Sequence, residues 1–140
     1  MVGVNKGSFE DNDFCALVID DDEFQLDFVV DKLSELGIRQ VTTANSGRAA
    51  LACLDKMPRK PDLLICDLQM PDMDGFEVMA ALEARKFSGG VILMSGQGAR
   101  VLHSASLVAQ LARQEFLGTI EKPVTKDGLY AYIKKMCDRS

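Results

Sequence analysis

Four apolar runs in this chain end in groups that could do chemistry. Ala16-Leu17-Val18-Ile19 ends in Asp20-Asp21-Asp22, and Leu63-Leu64-Ile65-Cys66 ends in Asp67. Val91-Ile92-Leu93-Met94 ends in Ser95-Gly96, and Gly118-Thr119-Ile120-Glu121 ends in Lys122-Pro123. Carboxylates crowded together repel unless their pKa values rise or a cation binds among them. Oxygen ligands without His or Cys suit a hard ion such as Mg2+. A lysine adds a point charge suited to a phosphate oxygen. The Ser95 hydroxyl and the Gly96 backbone can donate to another oxygen. Together these groups suit phosphoryl transfer, where positioning and charge neutralisation dominate, with a carboxylate as the nucleophile. Each signal alone is ordinary, since acidic loops are usually solvated turns and Lys-Pro is common after strands. Their force lies in falling, in order, at four strand ends.

The elements that must hold these groups alternate. Strands are predicted over residues 15–20, 40–44, 63–67, 91–94 and 117–121. Between them lie helical patterns over 23–36, 47–57, 75–86 and 99–115, with a last helix beginning near Thr125. Leu26, Val29, Val30, Leu33 and Leu36 form one apolar stripe, and Leu129, Tyr132, Ile133 and Met136 another. Gly37 supplies a stop, while Ser46 and Thr125 are candidate N-caps. Strand–helix alternation implies a parallel α/β sheet with right-handed crossovers and helices on both faces. The near-continuous apolar strands agree, because parallel strands are buried on both sides. The strand C-termini then gather Asp20, Asp21, Asp67, Ser95 and Lys122 around one crevice, where open α/β sheets place their ligands.

The 140 residues read as one domain over 14–138, preceded by a flexible polar segment at 1–13. A net charge of −5 argues against binding nucleic acid or an anionic membrane surface. No apolar stretch has the length of a membrane span, and the N-terminus has no apolar signal core. Cys15, Cys53, Cys66 and Cys137 lack metal-type spacing, three of them fall inside apolar patterns, and they read as buried free thiols, which fits a cytoplasmic setting. His103, the lone histidine, reads as an ordinary helical residue.

The segments LVIDDDE, LLICDLQMPDMDG, VILMSG and IEKP resemble those of response-regulator receiver domains, the phosphoacceptor modules of two-component signalling. The resemblance covers about residues 15–136. It implies a flavodoxin-like doubly wound sheet of five parallel strands in the order 2-1-3-4-5. It implies Asp67 as the phosphoacceptor, and Asp20, Asp21, Asp67 and the Gln69 backbone carbonyl as Mg2+ ligands. Ser95 would follow the phosphoryl group, Lys122 would pair with its oxygens, and a cis peptide would precede Pro123. A histidine kinase or phosphotransfer protein would be the donor. The fourth helix, fifth strand and last helix would form the output face, serving a homodimer or another partner.

Two departures stand out. Thr119 occupies the position of the family's usual switch aromatic, and residues 99–116 are longer than in a minimal receiver. That stretch also resembles receivers fused to EAL-type cyclic-di-GMP phosphodiesterase domains, so both a larger EAL-containing protein and a single-domain regulator are kept as expectations. The rival reading is a haloacid-dehalogenase-like phosphohydrolase, whose DxD nucleophile motif Asp20-Asp21-Asp22 superficially satisfies. Against it stand Glu23, where Thr or Val is expected, and the lack of a later acidic pair.

Overall fold

A computed structural model describes residues 4–5, 8–9, 13–96 and 115–138. Two short strands, β1 (Val4–Asn5) and β2 (Ser8–Phe9), pair antiparallel in the segment for which no element was predicted. The main sheet comprises β3 (Cys15–Ile19), β4 (Gln40–Ala44), β5 (Leu63–Asp67), β6 (Gly90–Ser95) and β7 (Glu115–Glu121). All its pairings are parallel, in the spatial order β4-β3-β5-β6-β7. Counted within this sheet, that is the predicted 2-1-3-4-5. The helices are α1 (Glu23–Glu35), α2 (Gly47–Lys56), α3 (Gly75–Ala84) and α4 (Lys126–Asp138). The helix predicted at 99–115 and His103 lie outside the described residues, except that Glu115 belongs to β7.

Strand alternation divides the core into two layers. Ala16, Val18, Leu63, Ile65, Ile92 and Met94 pack with α1 and α4, through Leu26, Val29, Leu33, Leu129 and Ile133. Leu17, Ile19, Leu64, Cys66, Val91 and Leu93 face α2 and α3, through Ala50, Leu54, Val78, Met79 and Leu82. Each fully buried Leu or Ile contributes about 1.5–3 kcal/mol relative to exposure. Both faces of β3, β5 and β6 are therefore committed to the interior, and polar chemistry is confined to the strand ends.

Local signals fix the helix ends. Asp22 caps α1 by accepting from Phe24 N–H at 2.9 Å, and Ser46 caps α2 by accepting from Ala49 N–H at 3.0 Å. Thr125 accepts from Gly128 N–H at 3.0 Å at the start of α4. Gly37, with φ of 89°, ends α1 while Ile38 N–H bonds back to the Leu33 carbonyl. The predicted third helix overran its end by two residues. Lys86 takes the left-handed conformation (φ 56°) and Phe87 N–H returns to the Leu82 carbonyl, a stop usually signalled by glycine.

Strand β7 starts earlier than predicted, at Glu115, because its first residues pair with Gly90 and Val91. It also carries a bulge. Val91 lies opposite Phe116 and Ile92 opposite Gly118, so Leu117 is an extra residue without a partner on β6. Gly118 has φ of 150°, and the Tyr132 ring of α4 packs directly on it. The Tyr132 hydroxyl donates to the Thr119 carbonyl at 2.7 Å.

Candidate functional site

The predicted residues meet at the C-terminal edge of the sheet. Asp20 follows β3, Asp67 ends β5, Ser95 ends β6 and Lys122 follows β7. Backbone bonds bring the ends together. Asp20 N–H donates to the Ala44 carbonyl at 3.1 Å, Leu68 N–H to Met94 at 2.9 Å and Lys122 N–H to Ser95 at 2.8 Å. Among the described residues, Asp20, Asp67 and Ser95 are the buried polar ones, while Asp21 is exposed.

Carboxylate oxygens of Asp20, Asp21 and Asp67 lie within 4.8 Å of one another. The Lys122 ammonium is 2.7 Å from Asp20 Oδ2 and 3.2 Å from Asp67 Oδ1, so a single cation serves two buried acids. The second Asp20 oxygen accepts from Asp22 N–H at 3.0 Å. Burial, followed by the charge of Asp20, pushes the Asp67 carboxyl above its ordinary value, against the opposing pull of Lys122 and the Gln69 N–H. Burial works to lower the Lys122 pKa, but the bond to Asp20 and the charge of Asp67 hold it above its ordinary value. Three carboxylates facing one lysine leave excess negative charge. The all-oxygen donor set and that charge fit a hard divalent cation such as Mg2+.

The loop after Asp67 is held closely. Gly75 N–H donates to the Leu68 carbonyl at 2.8 Å, and a Cβ at position 75 would lie 3.2 Å from the Asp67 carbonyl oxygen. The absence of a side chain at Gly75 thus lets α3 start directly against the end of β5. Asp74 and Glu77 form a capping box there, Asp74 accepting from Glu77 N–H at 2.8 Å. The Lys122–Pro123 peptide is cis, as the resemblance implied. Asp22 is an exposed helix cap with no place among the grouped carboxylates. None of the four cysteines forms a disulfide; Cys66 is fully buried and its thiol pKa is pushed up by that burial, whereas Cys15, Cys53 and Cys137 are half-buried.

Sequence reasoning missed Asp72. Its carboxylate accepts from Gly47 N–H at 3.2 Å and Arg48 N–H at 2.9 Å, tying the loop after β5 to the start of α2. Nothing local marks that role, because its partners are 25 and 24 residues away.

The response regulator receiver domain family matches residues 16–134. Among curated relatives, the transcriptional regulatory protein GlrR of Escherichia coli K12 is 32% identical over 124 residues, covering 89% of this chain and 26% of GlrR. The cyclic di-GMP phosphodiesterase RocR of Pseudomonas aeruginosa is 30% identical over 127 residues, covering 89% of this chain and 31% of RocR. The chain thus spans about a quarter to a third of these two relatives. The chemotaxis protein CheY of Listeria monocytogenes is 27% identical over 119 residues, covering 85% of this chain and 94% of CheY. A receiver domain crystal structure from Clostridium thermocellum shares the fold with a TM-score of 0.74 at 24% identity, covering 90% of this chain and 95% of that one.

Proposed function

We propose that in this chain, which belongs to the response regulator receiver domain family, Asp67 is the residue that accepts the phosphoryl group. The chain is a two-component phosphoacceptor module, and such modules take their phosphoryl group from a histidine kinase or phosphotransfer protein. Family membership overturns the haloacid-dehalogenase alternative. Asp20-Asp21-Asp22 mimics that enzyme's motif in text only. The fold instead sets a separate carboxylate, Asp67, on a neighbouring strand beside Asp20.

The observation that carries the assignment is the Lys122 bridge. Asp67 is the strand-end carboxylate that shares both the acidic pair and the lysine. In the proposed transfer, an Asp67 carboxylate oxygen attacks phosphorus as the phosphorus–nitrogen bond of the donor phosphohistidine breaks. Lys122 leaves Asp67 for a phosphoryl oxygen, and the Ser95 hydroxyl donates to another. Asp20, Asp21, Asp67 and the Gln69 carbonyl would hold Mg2+, which supplies charge neutralisation for carboxylates and phosphoryl group alike.

The receiver unit is proposed to span 14–138, since Phe14 is buried in the core and Cys137 packs against it. The output surface is proposed to include β7 and α4, serving a homodimer, a separate effector or an EAL-type domain in a longer chain. No helix among the described residues is long and apolar enough to cross a membrane, and a cytoplasmic setting suits the role.

Incubation with acetyl phosphate and Mg2+, read by intact mass, tests the assignment. The parent should gain one phosphoryl group and Asp67→Asn none. Equal gain by the variant would refute it.

A further inference from the structure

We infer that Asp72 is a positioning residue of the phosphorylation site, its carboxylate clamping the loop after β5 onto α2 so that the Gln69 backbone is held against Asp67 and the metal ligands. The inference rests on the reading of Asp67 as phosphoacceptor.

The clamp uses both carboxylate oxygens. Oδ1 takes the Gly47 N–H at 3.2 Å and Oδ2 the Arg48 N–H at 2.9 Å. Two bonds from one planar group fix its direction as well as its place. Helix α2 already has its own cap, since Ser46 accepts from Ala49 N–H at 3.0 Å. Asp72 supplies what Ser46 cannot reach, the two amides before Ala49, and joins them to a distant loop. The loop rests on the same spot through Met73, because a Cβ at Gly47 would lie 2.8 Å from the Met73 Cβ. These backbone donors, Arg48 first, hold the Asp72 carboxyl below its ordinary value, so it stays charged.

What the clamp holds is the short span between two anchors. On one side, Leu68 is fixed to Met94 and Gly75. On the other stand Asp72 and the Asp74–Glu77 capping box. Gln69 lies between them and is exposed, and its backbone N–H helps to favour the charged form of the Asp67 carboxyl. Met70 is buried in the layer beneath. Asp72 itself is exposed, so removing its side chain leaves the core intact while freeing the segment that carries Gln69.

Mg2+ titration of 15N-labelled protein, following the amides of Gln69 and Leu68, tests the inference in the full chain. Asp72→Ala should raise the Mg2+ midpoint about tenfold, as loss of a group that orients metal ligands does. Asp72→Asn keeps one acceptor and should fall between parent and Asp72→Ala. Asp31→Ala, an exposed acid on α1, controls for the lost charge and should match the parent. The acetyl phosphate reaction of Asp72→Ala should be slow at low Mg2+ and recover at saturation. Separately, its Gln69 amide should already be displaced in chelator. A midpoint for Asp72→Ala within about twofold of the parent would sink the inference alone. A parent that shows no Mg2+ response near Asp67 would instead sink the reading of the site, and this inference with it.

Discussion

Replacing Lys122 by Met should convert a site partly neutralised by its own lysine into one that depends on metal for stability. The ammonium is 2.7 Å from Asp20 and 3.2 Å from Asp67, and both acids are buried. Without it, two carboxylates with oxygens within 4.8 Å face each other in a partly dry site. At an effective dielectric of about 20 that repulsion is roughly 3.5 kcal/mol, and breaking a buried pair by removing one partner typically costs about 3–5 kcal/mol. For a domain of this size each kcal/mol moves the melting midpoint by about 3 °C, so the variant should melt about 10 °C below the parent in EDTA. Proton uptake by Asp67, whose carboxyl already sits above its ordinary value, limits the loss below neutral pH. The comparison therefore belongs near pH 8. Millimolar Mg2+ should return most of the deficit, because an ion that binds only the folded chain stabilises it by mass action and no lysine now competes. Circular dichroism melts of both proteins, with chelator and with Mg2+, give the four midpoints needed. Equal midpoints in EDTA, or an equal Mg2+ gain in both proteins, would refute the claim that Lys122 carries the counter-charge of this site.

Three further outcomes are expected. Asp67's raised carboxyl binds its proton more tightly in the folded chain, so its favourable term is present below the unfolded value and lost as pH rises through the folded one. In EDTA, Asp67→Asn should therefore melt above the parent at neutral pH, with the gap closing as pH falls into the carboxylate range; a constant gap would contradict this. Gly118→Ala should destabilise by about 1–3 kcal/mol in urea unfolding, since φ is 150° and the new Cβ would lie 2.6 Å from the Tyr132 ring; an unchanged midpoint would mean that β7 relaxes freely. Ser95→Ala should still accept a phosphoryl group yet lose the response of β7 to beryllofluoride in amide hydrogen exchange, and a retained response would free Ser95 from that role.

The site was legible because its residues end apolar runs. A carboxylate after Leu64-Ile65-Cys66 cannot continue into a core without a large penalty, so Asp67 marks where β5 reaches the edge. The same logic located Asp20 and Lys122. Sheet order followed from strand–helix alternation together with the family resemblance. What stayed hidden depends on contacts between distant segments. Asp72 looks like any loop aspartate until α2 is brought beside it. The end of α3 at Ala84 escaped notice because Lys86 takes a conformation usually left to glycine. The missing aromatic at Thr119 drew attention to β7, yet no periodicity showed that Tyr132 from α4 covers the adjacent backbone.

The extra residue in β7 has a consequence for how this strand can change. Side chains alternate along a strand, so an odd insertion inverts every position beyond it. Here Leu117 absorbs one residue, and the positions on either side keep their faces. Phe116 stays with Val91 on the α2/α3 side, and Ile120 stays with Met94 on the α1/α4 side. The bulge works like a frame correction placed just upstream of the last residues before Lys122. Past it the register runs unbroken from Gly118 opposite Ile92 to Glu121 opposite Ser95, so the lysine arrives in phase. An inserted or deleted residue among the four from Gly118 to Glu121 would have no such correction between it and Lys122 and would put the lysine out of phase.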